Sequence, residues 1–366
     1  MIYLDNGATS YHKPPQVLRA VGKAMISCAS PGRGGYPMAM EAARQVHSCR
    51  ELAGRLFACS AEQVVFTSNC THGLNIAIRS LVKPGDRVVI SGFEHNAVVR
   101  PLKALSAEIV IAGRRLFDWD GLLDEFEAAL KSGVSAAIFT HVSNVFGYIL
   151  PIEEMAQLCR RYGVSFIIDA AQSAGAVPIS MGKLGANFIA MPGHKGLLGP
   201  QGTGILLCDD IPEPIFFGGT GADSVSENMP QWLPERLEAG TLNVPGISGL
   251  REGIRYILQK DPANIGKREH KQMRVCVDAF RNMGIRTFFG EQQVGTFSFL
   301  LDEDCEETAQ KLSDAGIAVR AGLHCAPLAH KTAGTLNTGT VRVSFGYDAN
   351  DYQSQKLIYA VSKLRR

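Results

Sequence analysis

Ser165-Phe-Ile-Ile-Asp169-Ala-Ala-Gln172 is an apolar run that ends in a carboxylate, and Met191-Pro-Gly-His-Lys195-Gly196 follows it, with Lys195 26 residues beyond Asp169. Outward from this pair, short β-branched runs alternate with helical-looking stretches between about residues 60 and 208. The runs are Val64 to Thr67, Val88 to Ser91, Glu108 to Ala112, Ala136 to Thr140, Phe166 to Asp169, Phe188 to Ala190 and Gly204 to Cys208. Such alternation implies an α/β fold, a mostly parallel sheet covered by helices on both faces. Open sheets of this kind take ligands outside their strand ends. One rim should therefore gather Thr67-Ser-Asn-Cys-Thr71, Glu94-His95, Ser143-Asn144 and Asp169, each of which directly follows a strand.

The 366 residues allow two domains, or a large domain with a smaller companion. Residues 209–246, rich in Pro, Gly and polar side chains, read as irregular loops suited to touching a partner subunit. Beyond about 247 long helical segments take over, with strands expected at Thr296 to Leu301, Ala318 to Ala321 and Val341 to Phe345, and a last helix capped near Asn350-Asp351. The expected division is a large domain over 15–246 and a small α+β domain over 247–366, with residues 1–14 packing near the latter.

Hydrophobic residues make up 46% of the chain and the net charge is +2, which offers no general field for nucleic acid or an anionic membrane. The N-terminus carries no basic segment followed by an apolar stretch, and no run of about 18 apolar residues occurs, so a cytoplasmic protein is expected. Nine cysteines without CxxC pairs argue against a disulfide framework or a structural zinc site. Cys28, Cys49, Cys59, Cys159, Cys208 and Cys276 read as small core hydrophobes.

Taken singly, the chemistry-bearing residues have plain readings: Lys195 as a surface lysine, Asp169 as a helix N-cap, His95 as a structural histidine, Gln172 as a helical glutamine. Together Lys195 and Asp169 point elsewhere. An amine that can form a Schiff base and a carboxylate that can sit at a pyridinium nitrogen are what pyridoxal phosphate (PLP) requires, because its ring withdraws electrons best when the nitrogen stays protonated. His95 at the rim could stack on a planar ring and serve in proton transfer. The stretch Thr67 to Asn75 leads from a strand into a helix, whose N–H groups, with the Thr71 hydroxyl and the Cys70 thiol, could hold a phosphate.

At the level of whole motifs the chain resembles the fold-type I PLP enzymes of the class V aminotransferase group, and more narrowly the cysteine desulfurases. The motifs that carry the resemblance are Tyr3-Leu-Asp-Asn-Gly-Ala-Thr9, Ser143-Asn-Val-Phe-Gly147, Asp169-Ala-Ala-Gln172, Gly193-His-Lys195, Glu238-Ala-Gly-Thr241, Arg320-Ala-Gly-Leu-His-Cys-Ala326 and Val341-Arg-Val-Ser344. The resemblance implies a seven-stranded, mostly parallel sheet plus the smaller C-terminal domain, and a homodimer. It implies Lys195 as the Schiff-base lysine, Asp169 at the pyridine nitrogen, His95 stacked on the ring, and Gln172 and Asn144 near the phenolic oxygen or substrate. Cys70, Thr71 and His194 would bind phosphate, with Thr241 contributed by the other subunit. Arg342 would clamp the substrate carboxylate, assisted by Arg320.

Two departures stand out: Asn69-Cys-Thr-His72 where the family usually shows Gly-Thr-Thr-Glu, and Pro192 where a serine often precedes Gly-His-Lys. A thiol is a weaker donor than a hydroxyl, so a lowered phosphate affinity is expected. The Ser30-Pro-Gly-Arg-Gly-Gly-Tyr36 segment and the loop around Cys325 resemble a desulfurase-like subgroup linked with selenium metabolism. The expected reaction converts L-cysteine to L-alanine, leaving a persulfide on Cys325 for an acceptor thiol or protein, with a basic neighbourhood activating the thiol. Release of selenium from L-selenocysteine, and transamination on the same scaffold, are the alternatives.

Overall fold

The computed structural model describes residues 1–32 and 34–365; Arg33, within the Ser30–Tyr36 motif, lies outside the described residues. The chain opens with a two-residue strand, β1 (Ile2–Tyr3), and two helices, Pro15–Ser27 and Pro37–Phe57. Seven strands follow, β2 (Val64–Thr67), β3 (Arg87–Ser91), β4 (Glu108–Ala112), β5 (Ala136–Thr140), β6 (Ser165–Asp169), β7 (Phe188–Pro192) and β8 (Gly204–Cys208). They form one sheet in the order β2-β8-β7-β6-β5-β3-β4, in which β8 alone runs antiparallel to its neighbours. The mostly parallel seven-stranded sheet expected from the alternation is thus observed.

The apolar runs are unbroken because both faces of the sheet are buried. Successive residues of one strand enter different cores: Val89, Phe139, Ile168 and Leu207 pack on one side, Ile90, Ile138, Ile167 and Leu206 on the other. Side chains alternate across a strand, so a run apolar at every position is what a sheet covered on both faces demands. Each fully buried aliphatic side chain contributes about 1.5–3 kcal/mol relative to exposure. Helices Pro37–Phe57, Trp119–Lys131, Ile152–Tyr162 and Val244–Lys260 supply Phe57, Phe126, Met155 and Leu250 to the first core, and helices Cys70–Leu81 and Asn96–Ala104 supply Leu74 and Val98 to the second. None of the helices among the described residues is long and apolar enough to cross a membrane.

The C-terminal part holds β9 (Arg286–Phe288), β10 (Thr296–Leu300), β11 (Ile317–Ala318), β12 (Arg320–Gly322) and β13 (Thr340–Ser344). Here β12-β13-β10-β9 make an antiparallel sheet, and β11 pairs in parallel with β1 at the chain's start. The single strand expected over 318–321 is therefore two, because Val319 marks the point at which the chain passes from the β1 pair to the four-stranded sheet. A third core joins Leu4 to Phe280, Phe297, Phe299, Val341, Val343 and Leu357. Helix Asp351–Leu364 starts at the expected cap: the Asn350 side chain accepts from Gln353 N, and Gln353 Oε1 accepts from Asn350 N, a capping box.

The segment 209–243 is irregular apart from one short turn of helix at Glu235–Leu237, and the expected loop ends three residues early because helix Val244–Lys260 begins at Val244. It is anchored by Glu238. Its carboxylate accepts from the Phe66 N–H at 2.7 Å and pairs with Arg50, whose guanidinium lies over the Phe66 ring. Arg50 and Glu238 are both buried, so removing one partner strands a charge. Glu238→Ala is expected to cost about 3–5 kcal/mol, read as a lowered midpoint in urea unfolding; an unchanged midpoint would show that this pair does not anchor the segment.

Candidate active site

At the strand ends, a cavity of about 110 Å³ is lined by Asn69, Cys70, Thr71, His95, Asn144, Asp169, Gln172, His194 and Lys195, among others. Nine of the twelve residues singled out from the sequence or the resemblance are accounted for by this cavity or by direct hydrogen bonds to its lining: Cys70, Thr71, His95, Asn144, Asp169, Gln172, His194, Lys195 and Arg342. Cys325 is tied to the same rim through the neighbouring Asn96, Arg320 lies one strand away from it, and Thr241 is elsewhere on the surface.

The pairing of Asp169 with Lys195 follows from two loops being pressed together. Asp169 ends β6, Lys195 follows β7, and these strands are neighbours. Beyond them, Gly175 takes φ +94° and lies so close to Gly196 that a Cβ on it would collide with the Gly196 carbonyl oxygen; a Cβ on Gly196 would strike the Ala174 carbonyl in turn. Only glycine permits such backbone contact. The chain's first residues fasten the lysine loop from the other side. The His194 carbonyl accepts from Ser10 N at 3.0 Å and from Lys13 Nζ at 3.0 Å, and Ser10 Oγ lies 3.0 Å from the carbonyl oxygens of both His194 and Lys195. Burial pulls the Lys13 pKa down to about 8. No role for Ser10 or Lys13 was read from the sequence, since neither belongs to a pattern that distinguishes a loop clamp from a surface residue.

Lys195 is half-buried, and its pKa is lowered by burial first and by the Arg342 charge next, with Asp169 opposing. A larger share of neutral amine, the nucleophilic form, results at a given pH. His95 caps helix Asn96–Ala104: its Nδ1 accepts from Ala97 N at 3.0 Å. Burial holds its pKa below the usual histidine value, so the neutral ring carries its proton on Nε2. Glu94, one residue earlier, is fully buried; its Oε1 accepts from Ser91 Oγ at 2.5 Å and Thr140 N at 2.8 Å, tying β3 to β5 beneath His95. Burial raises its pKa to about 8.

Helix Cys70–Leu81 begins at the cavity with Asn69 as cap, its side chain accepting from His72 N at 2.9 Å. Thr71 is exposed on the first turn, while the buried Cys70 thiol donates to Asp169 Oδ1 at 3.4 Å. His194 has its pKa pushed down to about 4 by burial and by Lys195, and its Nδ1 lies 3.1 Å from Thr9 Oγ1. Gln172 donates to the Gly7 carbonyl at 3.0 Å.

Arg342, on β13, is 2% exposed; Nη2 donates to Asp5 Oδ1 at 2.5 Å, Nη1 to the Asn144 carbonyl at 2.9 Å, and Nε is buried with no partner among the described residues. Asn144 Nδ2 in turn donates to the His324 carbonyl at 2.7 Å, and Asn96 N donates to the Cys325 carbonyl at 2.8 Å. His324 and Cys325 both lie in the left-handed region, at φ +49° and +56°, which costs about 1–2 kcal/mol per residue. The two hydrogen bonds to their carbonyls hold that conformation. All nine cysteines are free, and Cys325 is the exposed one, whereas Cys28 and Cys59 are half-buried and the other six buried. The neighbourhood of Cys325 differs from the expectation in one respect. His324 is buried against the Thr340 carbonyl, 3.2 Å from Nε2, and burial with the Arg342 charge drives its pKa to about 2, so it brings no positive charge to the thiol. Arg320 pairs in register with Arg342 across β12 and β13 and is exposed.

Thr241 is exposed and does not line this cavity. It lies instead in the 209–246 segment, next to a separate cavity of about 510 Å³ lined by Arg50, Trp232, Glu238 and Gly240, which has no lysine in its lining.

The whole arrangement has relatives. The family model "Aminotransferase class-V" matches residues 2–357. A probable cysteine desulfurase of Methanothermobacter thermautotrophicus is 33% identical over 363 residues, covering 94% of this chain and 90% of that one. The apo structure of a cysteine desulfurase from Thermococcus onnurineus is similar with a TM-score of 0.93 and 30% identity, covering 99% of this chain and 94% of its own. The S-sulfonic acid form of the Escherichia coli cysteine desulfurase CsdA is similar at a TM-score of 0.86 and 25% identity, with the same coverage.

Because the Arg342 charge helps to depress the Lys195 pKa, Arg342→Met is expected to move the acid limb of amine reactivity to higher pH. The rate of imine formation with an aromatic aldehyde, followed against pH, measures this; an unmoved limb would show that Arg342 does not act on Lys195.

Proposed function

The chain belongs to the class-V aminotransferase family, and from that premise we propose that it is a PLP-dependent cysteine desulfurase, taking L-cysteine to L-alanine with a persulfide formed on Cys325. The observation that carries this reading is the tethering of one exposed cysteine, by Asn96 and Asn144, to the cavity that holds Lys195 and Asp169.

The residues present fit PLP. The half-buried amine of Lys195 and the buried carboxylate of Asp169 line one cavity with the first turn of a capped helix, whose N–H groups favour an anion. Lys195 would hold the aldehyde carbon, Asp169 the ring nitrogen, His95 the ring face, and the Thr71 hydroxyl, His194 and the helix N–H groups the phosphate, completed by Thr241 of the partner subunit. The bound group supplies an electron sink for charge developing on the substrate carbons.

The chain's own residues do the rest. Arg342, already desolvated and oriented by Asp5 and Asn144, binds the substrate carboxylate through its remaining donor capacity, with the exposed Arg320 adding charge. The released Lys195 amine, its basicity lowered by burial, takes the α-proton. Cys325 Sγ, as thiolate, attacks the substrate sulfur; the S–S bond forms as the carbon–sulfur bond breaks, the electron pair passes to the carbon side, and protonation there yields alanine. His95 offers its Nε2 proton for that delivery. The outer sulfur then leaves to an acceptor thiol, small or protein-borne, with return of the Cys325 thiolate.

Two structural expectations belong to the same proposal. The homodimer is supported by the large apolar side chains Phe216, Phe217, Val225 and Trp232, which are exposed on the same irregular segment that carries Thr241. A small C-terminal domain beside a large one is supported by the separate core that begins at Met273 and takes in β1 and Leu4, whereas helix Val244–Lys260 packs into the first core, which favours a boundary beyond it rather than at 246/247.

With PLP bound and cysteine supplied, mass spectrometry is expected to find one added sulfur on the peptide containing Cys325. Cys325→Ala should lower alanine formation from cysteine by roughly 100-fold or more, as loss of a nucleophile does. Alanine formed from cysteine without added sulfur at Cys325, or at an undiminished rate in the variant, would overturn the persulfide scheme; selenocysteine turned over by the variant at the wild-type rate would favour selenium release as the reaction this site serves.

A further inference from the structure

The two carboxylate oxygens of Asp169 are held unequally. Oδ1 accepts twice, from Ala171 N at 2.9 Å and from the Cys70 thiol at 3.4 Å. Among the described residues no donor reaches Oδ2, although Asp169 is 3% exposed and lines the cavity. Oδ2 keeps some exposure, unlike fully buried unpartnered atoms such as Glu94 Oε2, so a donor entering the cavity that Asp169 lines can reach it. Cys70 is the first residue of helix Cys70–Leu81, and a thiol carries one proton. Given to Asp169, that proton is not available to an anion at the helix terminus, where the backbone N–H groups and the exposed Thr71 hydroxyl remain.

We propose that Cys70 is a positioning residue for Asp169: its S–H bond fixes Oδ1, so that Oδ2 stays turned into the cavity as the acceptor for the protonated ring nitrogen of PLP. This rests on the PLP reading above and changes the part expected of Cys70 from phosphate ligand to orienter of the carboxylate. Burial, with the Asp169 charge adding to it, raises the thiol's pKa well above the usual value, so the donor persists through the physiological pH range. The short side chain also suits the place, because the helix runs close over the sheet: one turn on, a Cβ on Gly73 would touch Ala190 and Leu206.

Cofactor-free protein titrated separately with PLP and with pyridoxal, which lacks the phosphate, distinguishes the two roles. Cys70→Ala is expected to weaken both by the same factor, about 5-fold for one lost hydrogen bond to a carboxylate. Cys70→Ser, which keeps a donor, should restore both to within about 2-fold of the natural chain. In an Asp169→Ala background the further change Cys70→Ala should do nothing, because the thiol would have no carboxylate left to orient. The pH midpoint of the visible absorbance of the lysine-bound cofactor should shift in Cys70→Ala and return in Cys70→Ser. Weakening of PLP alone would make Cys70 a phosphate ligand and overturn the proposal; so would equal loss in the serine and alanine variants, an undiminished effect without Asp169, or no effect at all. Failure of the unmutated protein to bind either compound would instead bring down the PLP reading itself, and this proposal with it.

Discussion

Two glycines meeting backbone to backbone, Gly175 and Gly196, set the geometry on which the site depends. Their contact presses the turn after β6 against the turn after β7, and so confines a carboxylate and an amine far apart in sequence to one cavity. Strand pairing alone brings Asp169 and Ala190 side by side, but four residues separate Ala190 from Lys195. The close approach removes the freedom in those four residues. Thr9, Ser10 and Lys13 then fasten the His194 carbonyl from the opposite side, which makes the N-terminal segment part of the active-site framework.

A second chain of contacts joins the exposed Cys325 to Arg342 at the edge of the cavity. It runs from Asp5 through the Arg342 guanidinium to the Asn144 backbone, and from the Asn144 side chain to the His324 carbonyl; Asn96 closes it at the Cys325 carbonyl. The two left-handed residues at its end are held by these bonds against their intrinsic preference. A thiol on an ordered, strained turn is presented in one place. The same chain shows why Arg342 can be buried at 2% exposure: the half-buried Asp5 carboxylate offsets its desolvation while leaving the guanidinium with an unused Nε donor.

Burial does most of the tuning around this cavity, and in one direction. Lys195, His95 and His194 are all pushed toward their neutral forms, and Glu94 is pushed toward its protonated one. A site that shifts its nitrogen bases toward their neutral forms suits proton removal and delivery.

Six of the seven strands of the main sheet were legible because they are buried on both faces, and a run apolar at every position has few other readings; the edge strand Glu108–Ala112, only partly buried, was legible from its β-branched run, and its limits and those of Ala136–Thr140 agree to the residue. The Asn350 cap was legible for a similarly local reason. The short β1 and β9, and the break at Val319, were not, since such strands are defined by partners distant in sequence and carry no periodicity of their own. At the site, the residue types that could do chemistry stood out singly, in Lys195, Asp169, His95 and Cys325. Which way each side chain faces was decided only by the folded backbone. Hydrogen bonding across the sheet rim gives the Cys70 thiol to Asp169, burial makes His324 a neutral structural ring, and Asp5 reaches Arg342 across more than three hundred residues of sequence. Chain order specifies what groups are present; distances and desolvation, which assign them their parts, exist only once non-local contacts close.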